Sequence, residues 1–420
     1  MAAEYATDDP RGATTEPISV AICGGVVGRN AVGDQAIVHG IIKSLKRDFG
    51  SLTVYLLSHD SDLQFEARDC DVRVIDQNRC GFWQEVAILR KCSLVVIAMA
   101  VFAYRHSFRR LASAFVARTS GTPVMVWGVE LSAPKNRRHL LALKALAWTA
   151  DVITVRDQRS LDVARRVGKK DASFTADPTF VLSPDSRRRS DAQQLLAGIG
   201  VDLSRKTVAL CPRKLIAGLW HPFSPQSIEN LVVEFAKLVG ALQAAGVQVV
   251  LIQMSPDQPD DDAVVIDEIV ARLDGQSRPT VLAWRPELPG LMVDIFEHID
   301  AVVAVRLHGA ILAMLAGKPA MTIAYEPKVH GVMNAVGLSE HVLPVEGFDG
   351  RRCAEALLEW LKNPDEIHRK IDARIEQIRA RAWRNVPEAV RLIAGRSIPP
   401  RRRPDRGRAD RAVDADRVAN

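Results

Sequence analysis

The sequence predicts an α/β protein with two Rossmann-like parallel-sheet domains facing a cleft. Three observations carry this. Short, apolar, β-branched runs alternate with runs of helical periodicity. Several of the apolar runs end in glycine or arginine. After a polar stretch near residue 190 the same alternation starts again. Strands alternating with helices argue for a parallel sheet covered by helices. In open sheets of this kind, ligands sit beyond the carboxyl ends of the strands, so two facing halves place a site between them.

Taken in order, ISVAICGG from Ile18 is a strand ending in glycines, and a helix follows from about Gly33 with Ala36, Ile37, Ile41, Ile42 and Leu45 at helical spacing. LTVYLLS at 52 and DVRVID at 71 read as strands, then a helix near 83–91. LVVIAMA at 94, PVMVWGV at 123 and DVITVRD at 151 are further strands, the last two separated by a helix at 136–150. A helix at 158–167 closes the first half. The stretch from Ser183 to Asp202 shifts to SPDSRRRSDAQ and marks the boundary. The second half opens with TVALCPRK at 207 and a helix at 225–245, then GVQVVLIQM, a polar loop PDQPDDD and a helix at 263–273. TVLAW, a helix at 289–297, AVVAVR at 301, the helix LHGAILAMLAG, the strand PAMTIAY and the helix PKVHGVMNAVG complete it. The expected organisation is a disordered tail at 1–17, a domain at 18–185, a linker at 186–204, a domain at 205–350, helices at 351–395 that pack back on the first domain, and an Arg-rich disordered tail at 396–420.

A chain of 420 residues suggests two or three domains. The net charge is +6, but from Arg396 onward eight arginines face four aspartates, so much of the excess lies in one tail. That tail reads as solvated, with weak attraction to anionic lipid as the alternative. Aromatic residues do not interleave with basic ones, so nucleic-acid binding has little support. The six cysteines form no CxxC pair, and no metal site is expected. Cys23 and Cys211 lie in apolar runs, as small buried residues of a reducing compartment do. The N-terminus lacks an apolar signal core. The longest apolar run, from Leu94 to Tyr104, is too short to cross a bilayer. A cytoplasmic protein is expected.

The candidate chemistry is concentrated where AVVAVR meets LHGAILAMLAG. A buried strand delivers Arg306 and His308 to a helix start, and Gly309 permits close backbone approach. The helix N-terminus adds N–H donors and partial positive charge. Arginine offers a fork for carboxylate or phosphate, and histidine a proton near neutral pH. The triplet alone reads equally as a capping arginine and a buried, backbone-satisfied histidine. The first turn, CGGVVGRNAVGDQAI, has phosphate-loop glycines at Gly24 and Gly25 but matches no established phosphate motif. Within it, Asp34 is a helix cap or a general base. Arg156 and Asp157 end the strand at 151 as an ion pair and N-cap or as cleft residues. DPTF at 177 reads as a structural corner. Arg213 and Lys214 end the strand at 207, on the same cleft or in solvent.

These segments resemble the polysaccharide pyruvyl transferase family. GGVVGRNAVGDQAIVHGI is similar to its glycine turn followed by N-x-GD-x-A-I. ITVRDQRSLDVARRVG with DPTFVL is similar to RD-x-x-S…G and DP-x-F-x-L. RLHGAILAMLAGKPAMTIAYEPKVHGVMNAVGL is similar to RLH…A-x-x-P…I-x-Y-x-PK…LGL. The resemblance spans about residues 18–345. It implies a GT-B-like fold and transfer of the pyruvyl group of phosphoenolpyruvate to hydroxyls of a glycan or its lipid-linked precursor, with no cofactor. Arg306 and His308 would contact phosphoenolpyruvate. Arg156, Asp34 and Lys328 match the family's RD arginine, GD aspartate and PK lysine. Asn30, Gly24, Gly25, Gly309 and Arg213 would line the substrate. Two departures stand out. Asn30 is one residue further from Gly33 than usual, and AMAVFAYRH replaces a glycine-rich turn after the strand at 94. Two other readings remain, a glycosyltransferase using a nucleotide sugar and a non-catalytic glycan-binding relative.

Overall fold

The computed structural model describes residues 18–24, 30–58, 63–65, 67, 70–98, 107–217, 223–273 and 278–397. The expected tail at 1–17, all but the first two residues of the one at 396–420, Gly25 and most of the AMAVFAYRH segment lie outside these residues.

The first half holds β1 (Ile18–Gly24), α1 (Val32–Lys46), β2 (Leu52–Ser58), β3 (Asp71–Asp76), α2 (Phe82–Lys91), β4 (Leu94–Ala98) and α3 (Ser107–Thr119). It continues through β5 (Val124–Val129), α4 (Arg137–Thr149), β6 (Val152–Val155), α5 (Gln158–Arg166), β7 (Ser173–Phe174) and a 3-10 turn at Pro178–Val181. After α6 (Arg189–Gly198) the second half holds β8 (Thr207–Cys211), α7 (Pro225–Ala244), β9 (Gln248–Ile252), α8 (Asp262–Val270), β10 (Thr280–Leu282) and α9 (Leu288–Phe296). Then come β11 (Ala301–Ala304), α10 (Leu307–Leu315), β12 (Ala320–Ala324), α11 (Pro327–Ala335) and β13 (Val342–Pro344). Three helices end the described chain: α12 (Gly350–Lys362), α13 (Pro364–Trp383) and α14 (Asn385–Ser397).

The sheets have the same winding. The first runs β3-β2-β1-β4-β5-β6-β7 and the second β10-β9-β8-β11-β12-β13. Every pairing is parallel, from Val20 opposite Val54 and Leu94 in the first sheet to Ala209 opposite Val302 in the second. Strands buried on both faces must be apolar at every position, which is why β4 and β8 are buried throughout. In each sheet the winding reverses beside its first strand, at β1/β4 and at β8/β11. Those are the topological switch points where α/β proteins hold ligands.

The halves are packed together closely. Val32 and Ala36 of α1 belong to the same buried cluster as β8, β11 and α10. The Val32 N–H donates to the Met254 carbonyl at 2.8 Å, tying the start of α1 to the loop after β9. A β-carbon on Gly40 would stand 2.2 Å from the Pro178 carbonyl oxygen, so only glycine lets α1 lie on the 3-10 turn. Of the C-terminal helices, Ile371, Ile375 and Ile378 of α13 join the buried cluster of the second half, whereas α14 packs on the first half. Val386, Ala389 and Ile393 fill its core. Asn385, fully buried, accepts from the hydroxyls of Thr154 at 2.5 Å and Thr175 at 3.1 Å. The polar stretch after Ser183 contains α6, whose Ala192 and Leu196 join the second half's core. Among the described residues, no helix is long and apolar enough to cross a membrane.

Gly40→Ala is expected to destabilise the protein by about 2 kcal/mol or more, because two backbones must separate to admit the methyl group. Gly198→Ala, at a helix end with open space around it, should be neutral or stabilising by about 0.5 kcal/mol. Urea unfolding of the two variants checks the contrast.

Candidate active site

The predicted cations converge where the two halves meet. Arg306 follows β11, and its guanidinium turns toward the acidic loop after β9. Nε and Nη2 donate to the Asp262 carboxylate at 3.0 and 2.7 Å, Nη1 donates to Asp260 Oδ2 at 3.0 Å, and Nη2 also reaches the Asp260 carbonyl at 2.8 Å. Both carboxylates are buried. Burial works against its charge, but Asp262 and Asp260 outweigh it and hold Arg306 firmly protonated. The PDQPDDD loop thus supplies counter-charges. Among the described residues no cluster of acidic, His or Cys side chains forms a metal site.

Arg213, just past β8, shares Asp260: its Nη2 lies 3.1 Å from Asp260 Oδ2. It also stacks over the Tyr325 ring at 4.5 Å. On Tyr325 the Lys328 ammonium lies 5.7 Å from the ring centre, and it pairs with Glu326 at 2.5 Å. Burial disfavours the Lys328 charge, yet Tyr325, Glu326 and Glu130 more than offset that and raise its pKa.

Glu130 belongs to the first half, so the chain of charges crosses the cleft there. It follows a bulge in β5, where the register shifts between Val126 and Val129. Gly128 makes the bulge with φ +57°, and a β-carbon on it would meet the Ala176 carbonyl at 2.6 Å. Bulges re-aim the side chains beside them. Glu130 pairs with Arg156, which follows β6. The other arm of Arg156 donates from Nη1 to Asp177 Oδ2 at 2.7 Å. Asp157 beside it caps α5 by accepting from the Ser160 N–H at 2.8 Å, the plain structural role.

Asp177 opens the 3-10 turn and accepts from the Thr179 N–H at 3.0 Å. It is 3 % exposed. Burial would raise its pKa, but His308 and Arg156 dominate and hold it well below the usual carboxylate range. His308 Nε2 stands 3.8 Å from Asp177 Oδ2, an electrostatic rather than a hydrogen-bonding distance. That nitrogen is buried and has no hydrogen-bond partner among the described residues, although the side chain is 18 % exposed. Across the halves, a β-carbon on Gly33 would meet His308 Nδ1 at 2.5 Å, so α1 fits against the ring only through a glycine.

The remaining candidates are placed differently. Asp34 is in the first turn of α1, part-exposed, but the cap position is Ala31. Asn30 is buried and accepts from the Gln64 N–H at 3.1 Å. Gly24 ends β1 opposite Ala98, at the first switch point. Gly309 makes the close approach expected of it, but toward Cys211: a β-carbon would lie 3.1 Å from Cys211 Cβ and Sγ. Sequence reasoning passed over Glu130, took Asp177 for a corner and read Asp260 and Asp262 as solvated. The available signal was a carboxylate directly after a parallel strand.

Two halves with the same parallel winding and a charged cleft define a GT-B-like protein. Similar folds are seen in Anabaena HepE in complex with UDP-glucose (TM-score 0.55, 12% identity, 90% of this chain and 100% of that one). They are seen too in UDP-GlcNAc 2-epimerase from Neisseria meningitidis bound to UDP-GlcNAc (0.54, 11%, 89% and 99%) and in a putative UDP-N-acetylglucosamine 2-epimerase from Listeria monocytogenes (0.55, 10%, 92% and 99%). At such identities the likeness is one of fold. No curated protein matches the sequence. The model of the polysaccharide pyruvyl transferase family matches residues 31–327, and the chain belongs to that family.

Arg306→Ala would leave Asp260 and Asp262 buried without their main counter-charge. A loss of about 3–5 kcal/mol is expected by urea unfolding. For Asp177 the sign follows from its depressed pKa. Its stabilisation is present above the unfolded carboxylate value of about 3.9 and is lost as pH falls below it. The difference in Tm between wild type and Asp177→Asn should be largest above about pH 5 and shrink steadily as pH is lowered from about 4 toward the depressed folded value.

Proposed function

We propose that this protein transfers the pyruvyl group of phosphoenolpyruvate to two hydroxyls of a sugar in a glycan or lipid-linked precursor, forming a ketal. The observation that supports this most is the His308 nitrogen, buried with no hydrogen-bond partner among the described residues and 3.8 Å from Asp177, which in turn holds Arg156, at the junction of the halves. Phosphoenolpyruvate carries a carboxylate and a phosphate on a three-carbon frame, and removing both from water requires paired cations. In this reading Arg156, Arg213 and Lys328 are the cations nearest the cleft. Arg306, held by Asp260 and Asp262, grips the donor only if those contacts exchange.

The step needs a proton at the enol methylene, which leaves an oxocarbenium-like carbon. His308 donates that proton. A sugar hydroxyl then adds to the carbon, and attack by a second hydroxyl closes the ketal as phosphate departs. Asp34, on the first turn of α1, is the base that accepts one hydroxyl proton and releases it to the departing phosphate, while the other hydroxyl proton returns to His308. No electrons are gained or lost overall, so no redox cofactor enters. A donor and precursor made in the cytoplasm place the reaction there, with the Arg-rich segment from Arg396 attracted to an anionic leaflet.

Purified protein with phosphoenolpyruvate and candidate acceptor glycans should release phosphate. His308→Ala and Arg156→Ala should each lower turnover by about 100-fold or more. Full activity in both variants would overturn the assignment. Thermal stabilisation by UDP and not by phosphoenolpyruvate would instead favour a nucleotide-sugar enzyme.

A further inference from the structure

We infer that Glu130 is a displaceable internal ligand of the cleft. Its carboxylate occupies the position on Arg156 that a substrate carboxylate takes, and so it sets which anions the site accepts. This rests on the phosphoenolpyruvate reading.

Two carboxylates hold Arg156, and they are held unequally themselves. Asp177 is buried, also accepts the Thr179 N–H and faces His308. Among the described residues Glu130 has Arg156 as its one ion pair, and its side chain is 29 % exposed. Asp177 is therefore fixed, while Glu130 can turn into solvent. A glutamate on a guanidinium presents the same planar, singly charged group as the carboxylate of an α-keto or enol acid. Glu130 also supports the charge of Lys328, which is itself paired with Glu326 at 2.5 Å. When Glu130 leaves, Arg156 keeps Asp177 and Lys328 keeps Glu326, but each loses part of its compensating charge, which a ligand can restore.

Selectivity follows. A ligand with one anionic group restores one partner and gains little over Glu130 itself. A ligand with a carboxylate and a second anionic group a few bonds away restores both. Inorganic phosphate should therefore bind wild type poorly, and phosphoenolpyruvate distinctly better.

The test is calorimetric titration with phosphoenolpyruvate and with inorganic phosphate of wild type, Glu130→Gln, Arg156→Ala and the double variant. Glu130→Gln keeps shape and removes charge, so it should bind phosphoenolpyruvate about tenfold tighter than wild type and narrow the margin over inorganic phosphate. In the Arg156→Ala background the same change should have no more than about a twofold effect, because the shared partner is gone. Equal or weaker binding by Glu130→Gln while wild type binds phosphoenolpyruvate would overturn the inference and leave the donor reading standing. If neither binds phosphoenolpyruvate, both fall.

Discussion

The architecture depends on the need to neutralise arginines at the ends of buried parallel strands. A guanidinium does not give up its proton, so every partly buried one requires an anion. Here the requirement produces a chain of alternating charge. Arg306 and Arg213 share Asp260, Arg213 and Lys328 share the Tyr325 ring, and Arg156 joins Glu130 to Asp177 beside His308. Its members come from both halves. Electrostatic neutrality and the relative placement of the halves are therefore one constraint.

Packing reinforces it. α1 lies on the 3-10 turn at Gly40, and the Val32 N–H is committed to the Met254 carbonyl. Asn385, at the start of α14, satisfies two buried threonine hydroxyls of the first sheet. The C-terminal helices thus act as a strap: α13 lies against the 3-10 turn and α10, and α14 covers β4 and β5.

Much of the fold could be read from the chain because buried parallel strands leave continuous apolar runs. β1, β4, β5, β8 and β11 are all such runs, and their helices show the expected period. β7 and β13, two and three residues long, were not foreseen, since so few residues carry no pattern. α6 lies in the stretch read as a linker, because its polar residues dominate the composition. Of the candidate residues, Arg156 and His308 could be recognised from where they end a strand or begin a helix, and Lys328 only from the family's PK motif. Their partners could not. Which carboxylate meets Arg156 depends on a bulge at Gly128 and on a turn 21 residues further along the chain. Asp260 and Asp262 look like a solvated loop until the fold lays them against Arg306.

The contact between Gly33 and His308 makes the imidazole's orientation a property of the joined halves. The wall behind the ring is a backbone carbon from the opposite sheet's first helix, close enough that a single methyl group would collide. Separation by a few ångströms would give the ring back its torsional freedom and admit water to Nε2, which has no hydrogen-bond partner among the described residues. The setting of the ring is thus inherited from the joint between the halves and not from α10 alone.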